Sequence, residues 1–567
     1  MSAMRAAFER CRRHLVAAAG FSALVNILYI APTIYMLQVY DRVVPTQGKL
    51  TLLFLTLVIL LALGTLALLD RVRTRLLIRA GVLLDATVAP ALLDAVLGRP
   101  DLPESRQALR EFDSMRQTLT GPGMLALFDA PWTPIYILVC FLVHPLIGVV
   151  GLLGGIILPL IAWRNEAATR PKLDKAQKAA AGAYSGQDAI LGGAEAVRAL
   201  GMRRALVSRQ LRGREQALTL QTEAGLKAGS YLTGTKFARL VLQSVALGVG
   251  ALLAIDNKIS AGAIFAASFL IARALQPIEQ LVGTWRPIVQ ARGGYASLDA
   301  LLEAAGGKPE ATRLPPPTGA LTLEGVTLLN EARDGAVLNA VSFAVQPGEV
   351  VAIVGPSGAG KSTLARAIAG AIGIERGSIR FDGAERRDWD PERLAAHVGY
   401  LPQDVLLMAG SIKDNVSRFA AELGGNQGEI DAAAVAAAQK VGAHDLILRL
   451  PGGYDHQLSA GGRGLSLGQA QRVALARAAY GDPAILILDE PNAHLDSEGD
   501  TRLIAAIGEL KKERRTVLIV SHKLSILPVV DKLMVLRDGK VELFGPRDEI
   551  MAKIAPQNVR RVGTQAA

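Results

Sequence analysis

Cysteines, aromatic residues and charged residues are all scarce in this chain of 567 residues. The two cysteines, Cys11 and Cys140, are too few for a disulfide framework, which excludes the small disulfide-stapled folds. Charged residues make up only 20% of the chain and apolar residues 50%, a balance that soluble enzymes rarely show. Because aromatic residues are only 5%, the apolar content comes from aliphatic residues and glycine, as in membrane-spanning helices.

Long apolar runs fill the first half of the chain. A helix needs about 20 apolar residues to cross a bilayer, and six runs approach or reach that length. The third run is short by itself, so we expect it to begin at Ala130 or earlier. The sequence therefore predicts a six-helix α transmembrane domain over 15–300. The six predicted spans are Leu15–Leu37, Leu50–Leu69, Pro131–Val143, Leu146–Trp163, Phe237–Ile255 and Ile259–Ile278.

The net charge of +11 comes from basic residues that flank these runs. Arginines precede the first span within residues 1–14 and follow the second span at 71–79, and a long basic segment covers 164–236. Such positions are typical of the cytoplasmic side of a membrane protein in contact with membrane lipid. The sequence therefore predicts a short cytoplasmic N-terminus over 1–14, two cytoplasmic arms at about 70–130 and 164–236, and no nucleic-acid partner.

Three features of this half remain open at the level of sequence. Each arm is expected to turn over at a short helix, near Ala108–Gln117 and near Gly193–Met202. Arg273 lies inside the sixth span, where a cation is costly. It either faces water, a partner or the interior, or snorkels to the membrane surface. Asn26, inside the first span, is expected to hold helices together.

The second half of the chain changes character after Arg292. A segment rich in proline and glycine, Gly306–Ala320, predicts a linker over 301–320. The apolar runs that follow are short and alternate with helical patterns. We therefore predict a multi-domain protein in which the membrane domain is followed by an α/β P-loop NTPase cassette over 321–555 and a C-terminal tail over 556–567.

A phosphate-binding loop follows the predicted strand Val350–Val354. The pattern G-x-x-x-x-G-K-[ST] lies between this strand and a helical run, the context in which it binds nucleotide. Backbone N–H groups and the helix N-terminus would face the phosphates, Lys361 would reach the β and γ phosphates, and Ser362 would bind Mg²⁺. The predicted nucleotide-binding residues here are Gly355, Pro356, Ser357, Gly358, Ala359, Gly360, Lys361, Ser362 and Thr363.

Acidic and polar residues after later strands complete a candidate hydrolytic site. Asp489 and Glu490 follow an apolar strand, so that Asp489 can hold Mg²⁺ and Glu490 can polarise the attacking water. Gln403 is predicted to contact Mg²⁺ and that water. His522 is predicted to contact the γ-phosphate, and Asp496 to lie near the nucleotide.

These motifs, in this order and with the "LSLGQ" segment at 465–469, resemble the ATP-binding-cassette superfamily. Six spans before one cassette resemble a half-size exporter. The chain is most similar to type I protein secretion ATPases, which export proteases, lipases and S-layer proteins. Only about fourteen residues precede the first span, which predicts no N-terminal peptidase domain. The stretches that carry this resemblance are Met36–Gln47, Gly121–Tyr136, Gly262–Arg286 and Asp489–Asp496.

The resemblance implies a homodimer. In this superfamily the signature of one cassette closes the P-loop of another, and one chain carries one of each. Ser466, Gly468 and Gln469 would then cap the γ-phosphate of ATP bound to the partner. The resemblance also implies an ATP-driven exporter in the bacterial inner membrane, with both termini and the cassette in the cytoplasm. Its partners would be a periplasmic adaptor, an outer-membrane channel and a secreted protein with an uncleaved C-terminal signal, often bearing glycine-rich calcium-binding repeats.

Four residues depart from the superfamily pattern. Leu467 replaces a glycine of the signature, and Asn330 stands where many cassettes carry an aromatic residue that stacks on adenine. Ala460 and Ala470 replace a common glutamate and a common arginine. The catalytic residues are all present, so we predict an active ATPase. Two alternatives stay open: an exporter of lipid, drug or peptide, and a catalytically weak regulatory or channel-like membrane protein.

Overall fold

The computed structural model describes residues 3–562 apart from 100, 101, 103, 104, 106, 307–312, 331, 460 and 463. The chain divides into two compact units, Met1–Lys308 and Pro309–Ala567. We call the first the membrane unit and the second the cassette.

The membrane unit is built from helices. A π-helix, Val39–Val43, joins α2 to α3, and a 3₁₀ turn, Ala130–Trp132, joins α6 to α7. The helices are α1 (Ala3–Leu28), α2 (Ala31–Gln38), α3 (Val44–Thr46), α4 (Lys49–Gly98), α5 (Ala108–Thr120), α6 (Pro122–Asp129), α7 (Thr133–Val143), α8 (Pro145–Gly192), α9 (Ala194–Ala199), α10 (Arg203–Ile255), α11 (Ala261–Gly283) and α12 (Trp285–Gly306).

Six helical segments are long and apolar enough to cross a membrane, which confirms the predicted transmembrane domain. The helices α4, α8 and α10 have 50, 48 and 53 residues. At 1.5 Å per residue each is about 70–80 Å long, more than twice the apolar thickness of a bilayer. Each therefore continues well beyond its span, and the predicted arms are helical extensions of the spans.

The predicted cytoplasmic N-terminus over 1–14 is helical from Ala3 onwards and continues directly into the first span. Residues 3–14 form the first turns of α1, and Met4, Ala7 and Cys11 are buried in a cluster with α4, α5 and α12. The helix of the first span is interrupted at 29–30, between α1 and α2. Pro32 lies in the first turn of α2, where its missing N–H costs no helical hydrogen bond.

The two predicted arm turns have different outcomes. The short helix α9 lies within Gly193–Met202, between the long helices α8 and α10, as predicted. Ala108–Gln117, in contrast, belongs to α5, which buries Phe112 and Met115 against α4 and α12. Helix α4 ends at Gly98 and α5 begins at Ala108, and most of the residues between them lie outside the described residues. Ala108–Gln117 is therefore a packed helix rather than the turn of the arm.

The cassette contains three sheets. A four-stranded antiparallel sheet has the order β2-β1-β4-β5, and a six-stranded sheet has the order β12-β11-β3-β10-β9-β6. The third sheet pairs β7 with β8. The strands are β1 (Leu321–Leu329), β2 (Ala336–Val345), β3 (Val350–Val354), β4 (Arg376–Phe381), β5 (Ala384–Glu385), β6 (Val398–Leu401), β7 (Gly410–Ser411), β8 (Gln457–Leu458), β9 (Ile485–Asp489), β10 (Thr516–Val520), β11 (Lys532–Arg537) and β12 (Lys540–Pro546).

Helices pack on the six-stranded sheet, which confirms the predicted α/β class. Its strands β6, β9, β10, β3 and β11 are parallel, and β12 is antiparallel to β11. The helices are α13 (Lys361–Ala369), α14 (Pro391–His397), α15 (Ile412–Val416), α16 (Gln427–Lys440), α17 (His444–Leu448), α18 (Leu467–Ala479), α19 (Ser497–Lys512) and α20 (Arg547–Val562).

The central strands β3, β9 and β10 place the site. Nearly all of their residues are apolar and buried, as expected for parallel strands covered on both faces. The register pairs Val520 of β10 with Asp489 of β9 and with Ile353 of β3. The carboxyl ends of the three strands therefore lie side by side, and the residues that follow each strand meet at one edge of the sheet.

The observed boundaries differ from two of those predicted. The predicted linker over 301–320 begins inside α12, which continues to Gly306 and buries Leu301 and Leu302. Residues 307–312 of that linker lie outside the described residues. The predicted tail over 556–567 begins inside α20, which ends at Val562, and 563–567 are not described. Apolar packing of Leu301 and Leu302 extends α12 beyond the point where the proline- and glycine-rich segment suggested a break.

Candidate active site

The phosphate loop joins β3 to α13 and depends on glycine at both ends. Gly355 has φ +155° and Gly360 φ +93°. A Cβ at Gly355 would lie 2.1 Å from the carbonyl oxygen of Leu536, and one at Gly360 would lie 2.8 Å from that of Val337. No other residue fits either position. The loop therefore leads directly into the N-terminus of α13. The free N–H groups of that terminus favour binding of an anion.

Lys361 opens α13 and turns back into the loop. Its Nζ donates hydrogen bonds to the carbonyl oxygens of Gly355, at 3.0 Å, and Pro356, at 2.8 Å. Burial lowers the pKa of Lys361, and the nearby carboxylates of Glu490 and Asp489 partly oppose that effect. A buried ammonium held mainly by neutral carbonyl groups is poised to bind a phosphate, which supplies a stronger counter-charge.

Three oxygen atoms converge beside the loop. The hydroxyl of Ser362 lies 3.1 Å from Oδ1 of Asp489 and 3.3 Å from Oε1 of Gln403. Asp489 is 1% exposed, and burial raises its pKa, an effect that the hydrogen bond from Ser362 partly offsets. A hydroxyl, an amide oxygen and a carboxylate are hard ligands of the kind that Mg²⁺ prefers. The donor set therefore fits the predicted magnesium site.

Glu490 lies immediately after β9, in a strained conformation. Its φ is +48°, the left-handed region that a non-glycine residue rarely adopts, and its N–H donates to Val520 at 2.9 Å. The strained residue directs the carboxylate out of the core, so that Oε1 lies 3.4 Å from Nε2 of His522. The structure thus brings together the predicted base, the predicted γ-phosphate contact and the phosphate loop.

The signature segment forms the start of α18. Ser466 and Gln469 make a reciprocal capping box, in which Ser466 Oγ accepts from the N–H of Gln469 at 3.3 Å and the N–H of Ser466 donates to Gln469 Oε1 at 2.9 Å. A Cβ at Gly468 would lie 2.8 Å from the carbonyl oxygen of His494. Leu467 is 69% exposed. The substituted leucine therefore packs against little within the chain and leaves the cap intact.

Gln471 is a site residue that the sequence analysis missed. It is 2% exposed, its Nε2 donates to the carbonyl oxygen of Glu490 at 2.9 Å, and its Oε1 accepts from the N–H of His494 at 3.1 Å. It therefore ties the signature helix to the residue after β9. The sequence did contain a sign of this role: Gln471 lies on the apolar face of α18, where a buried polar side chain needs hydrogen-bond partners.

Asp496 has a structural role in the chain as described. Its Oδ1 accepts hydrogen bonds from the N–H of Gly499 at 2.8 Å and from Nη2 of Arg472 at 3.2 Å. Asp496 therefore caps α19 and links it to α18 through Arg472. Its predicted contact with nucleotide stays a prediction.

Asn330 also has a local role. Its Oδ1 accepts from the N–H of Asp334 at 3.1 Å, and its Nδ2 donates to Oδ1 of Asp334 at 2.6 Å, which closes the turn between β1 and β2. Ala470 packs partly buried against the core of the cassette. Ala460 lies outside the described residues.

Known proteins match both units. The family described as "ABC transporter" matches residues 338–493, and "ABC transporter transmembrane region" matches 111–277. A solved structure entitled "Structure of a bacterial Atm1-family ABC exporter with ATP bound" covers 98% of each chain with a TM-score of 0.83. Its sequence identity is 22%, so that likeness concerns the fold.

Relatives of known role are similar along almost the whole chain. The Type I secretion system ATP-binding protein PrsD of Rhizobium meliloti is 39% identical and aligns over 98% of this chain and 95% of its own. The Toxin RTX-I translocation ATP-binding protein of Actinobacillus pleuropneumoniae is 29% identical over 94% of this chain and 75% of its own. The Alpha-hemolysin translocation ATP-binding protein HlyB of Escherichia coli O157:H7 is 28% identical, over 96% and 77%.

The two family matches cover the phosphate loop and β9 in the cassette and part of the helical membrane unit. At 39% identity over nearly the full length of both proteins, this chain belongs to the ABC transporters that couple ATP hydrolysis to transport, in the group of type I secretion system ATP-binding proteins.

Proposed function

We propose that the protein is the inner-membrane motor of a bacterial type I secretion system, working as a homodimer with both termini and the cassette in the cytoplasm. It would export a protein with an uncleaved C-terminal signal, of a class that includes glycine-rich calcium-binding repeat proteins. A periplasmic adaptor and an outer-membrane channel would complete the conduit. The observation that carries this proposal is the 39% identity to a type I secretion ATP-binding protein over 98% of the chain.

The geometry supports an active hydrolase. Lys361 and the N–H groups of the loop bind the phosphates, and Ser362, Gln403 and Asp489 would hold Mg²⁺. The ion would neutralise charge on the phosphate oxygens. Glu490 accepts a proton from the attacking water, and His522, 3.4 Å away, orients that carboxylate towards the γ-phosphate.

The surfaces of the cassette support the homodimer. Pro356, Ser357 and Gly358 of the phosphate loop are exposed, and so are Ser466 and Leu467 at the start of α18. Two helix N-termini that favour anions are therefore presented to solvent. Head-to-tail pairing of two copies would place the signature of each against the loop of the other, with nucleotide between them. ATP would favour the paired state, and hydrolysis would release it.

Loss of the gene in the host tests the transport step. We expect deletion to remove one large protein from the extracellular fraction, and complementation with the parent chain, but not with Glu490→Gln, to restore it. Mass spectrometry of culture supernatants provides the measurement. An unchanged set of extracellular proteins, with altered lipid or drug sensitivity instead, would refute the secretion proposal in favour of a small-molecule exporter.

Cross-linking tests the dimer. Both native cysteines are buried, so Ser357→Cys together with Ser466→Cys supplies an exposed thiol pair. In the Glu490→Gln background, we expect a short bis-maleimide to join two chains when MgATP is present. Ser357→Cys with Glu498→Cys, which places the second thiol on the exposed first turn of α19, is the matched control. Equal cross-linking of both pairs would contradict head-to-tail pairing.

A further inference from the structure

A cavity of about 440 Å³ lies between helices of the membrane unit, lined by both charged and apolar residues. Residues of α4, α6, α10 and α11 line it, together with Tyr29 of the break between α1 and α2. Three lining residues mark where apolar spans end: Asp70 follows the second predicted span, Lys236 precedes the fifth and Glu279 follows the sixth. The cavity therefore lies at one edge of the apolar region, where a polar ligand can enter.

One wall of the cavity is a cluster of ion pairs around Arg73. Oδ1 of Asp129 accepts from Nη1 of Arg73 at 2.8 Å, from Ser22 at 2.6 Å and from Asn26 at 2.7 Å. Nη2 of Arg73 also donates to Asp70 at 2.6 Å. Arg73 thus has two carboxylate partners, so the cluster of Arg73, Asp70 and Asp129 has no positive charge to offer a ligand.

Arg273 is in a different position, although it is 9% exposed and lines the same cavity. Its Nη1 donates to Gln276 at 2.7 Å, its Nη2 donates to Oδ1 of Asn26 at 3.2 Å, and its Cζ lies 3.3 Å from the centre of the Tyr29 ring. Its Nε–H has no hydrogen-bond partner. Among the described residues its contacts are all neutral, so a buried guanidinium is left without a carboxylate. Arg273 faces the interior of the unit, which excludes snorkelling to the membrane surface.

A second cation that lines the cavity also has no carboxylate partner in the described part of the chain. Lys236 is exposed and forms no ion pair within the described part of the chain. The third lining carboxylate, Glu279, is bound to Arg239 at 2.5 Å and so does not neutralise it. The cavity therefore has two cations without a carboxylate partner among the described residues, Arg273 buried and Lys236 at its mouth.

We propose that this cavity binds a carboxylate of the polypeptide that the protein exports, with Arg273 as its main contact and Lys236 at the entrance. This site rests on the proposed secretion function. A guanidinium offers paired donors that match the two oxygens of a carboxylate, and Nε of Arg273 is free to supply one of them. A phosphate of a lipid headgroup would carry acyl chains, and the charged and amide side chains that line the cavity suit a polar polypeptide segment better.

Peptide binding to the full-length protein in nanodiscs of phosphatidylcholine tests the site. The probe is a hexapeptide of alanine, leucine and glycine that contains one aspartate, carries an uncharged coumarin label at its N-terminus and has an amidated C-terminus. Its partner probe replaces the aspartate with asparagine. We expect the aspartate peptide to bind about tenfold more tightly, because a hydrogen bond to a charged group contributes roughly that factor.

Substitutions assign that preference to the cavity. Arg273→Gln should lower the affinity for the aspartate peptide about tenfold, to that of the asparagine peptide. Lys236→Gln, at an exposed position, should lower it about two- to threefold. Lys258→Gln removes an exposed cation from the loop before α11, outside the cavity, and should change neither. If Arg273→Gln does not fold, as judged by size exclusion, the Lys236→Gln result decides.

Three outcomes would overturn the site. Equal binding of the two peptides would exclude carboxylate recognition. A preference that survives in both Arg273→Gln and Lys236→Gln would place it elsewhere. Displacement of the aspartate peptide by phosphatidylglycerol in the nanodisc, dependent on Arg273, would identify a lipid headgroup as the ligand. The gene-deletion experiment remains independent: if secretion is lost on deletion but the peptides bind equally, the function stands and the site fails.

Discussion

The two units of this chain hold their polar groups in different ways. In the cassette, Lys361 is held by backbone carbonyls five and six residues before it, and Ser466 is capped by Gln469, three residues after it. In the membrane unit, Asp129 accepts hydrogen bonds from side chains of α1 and α4. These side chains lie 56 to 107 residues before it in the sequence. The cassette builds its phosphate loop and the cap of its signature helix from local backbone geometry, and the membrane unit builds its polar cluster from tertiary contacts.

This contrast has energetic consequences. A motif held by its own backbone keeps its shape when one side chain is changed, so such a change removes chemistry and little else. When one member of a buried side-chain cluster is removed, the groups that were bonded to it remain buried without a partner. Each such unpaired group is costly to bury. Substitutions should therefore affect turnover in the cassette and stability in the membrane unit.

The largest effect on chemistry is expected from Glu490→Gln. We expect ATP turnover to fall by at least about a hundredfold, because a positioned base contributes 10²–10⁴. Nucleotide binding should be retained, since the phosphate contacts come from the loop. Phosphate release by the purified protein and binding of a fluorescent ATP analogue provide the two measurements.

Glu498→Gln is the matched control for that change, because this exposed carboxylate of α19 pairs only with Arg502 in the described contacts. Its turnover should equal that of the parent. Parallel loss of turnover in both variants, or a parent protein without turnover, would show that the cassette is not the hydrolase that its geometry indicates.

The largest effect on stability is expected from Asp129→Ala. This change leaves Arg73, Ser22 and Asn26 without their shared acceptor, and breaking a buried pair typically costs about 3–5 kcal/mol. Thermal unfolding of the detergent-solubilised protein should show a markedly lower Tm. Asp256→Ala removes the partner of an exposed lysine and should cost less than about 1 kcal/mol. Equal shifts in the two variants would erase the contrast between buried and exposed pairs.

A smaller effect concerns the pH dependence of Mg²⁺ binding. Burial raises the pKa of Asp489 above its ordinary value of 3.8. Only the deprotonated carboxylate binds the ion, so Mg²⁺ affinity should begin to fall at a higher pH than for an exposed aspartate. Below that pKa the loss should be about tenfold per pH unit. The affinity for MgATP, measured at a series of pH values from about 4 to about 8, tests this expected loss of Mg²⁺ binding.

The same carboxyl group affects stability with the opposite sign from an ion-paired aspartate. Because its pKa is higher in the folded state, its contribution favours folding below that pKa and opposes folding as the pH rises through it. Asp489→Asn should remove both the pH dependence of ion binding and this destabilisation. An unchanged pH profile in Asp489→Asn would show that another group controls the titration.

These differences also explain what could be predicted from the sequence. Gly355 to Thr363, Asp489 with Glu490, and Ser466 to Gln469 are short segments whose chemistry follows from adjacent residues, and the structure places them as the motifs indicate. The polar cluster could not be predicted, because Asn26 is 103 residues from Asp129 and 247 from Arg273. Helical periodicity shows which residues share a face, but not which distant helix that face meets. Gln471 was missed for the same reason, since its partners lie after β9.

The smallest effect is expected at the substituted glycine of the signature. Leu467 is 69% exposed and the capping box of Ser466 and Gln469 forms in its presence, so Leu467→Gly should leave turnover within about two- to threefold of the parent. Ser466→Ala, which removes the cap, should reduce both turnover and the stability of α18, by about 1 kcal/mol for the latter. Steady-state phosphate release measures turnover for both. A rise of tenfold or more in Leu467→Gly would mean that the leucine crowds the phosphate when two cassettes close, and that backbone geometry alone does not determine how well this signature works.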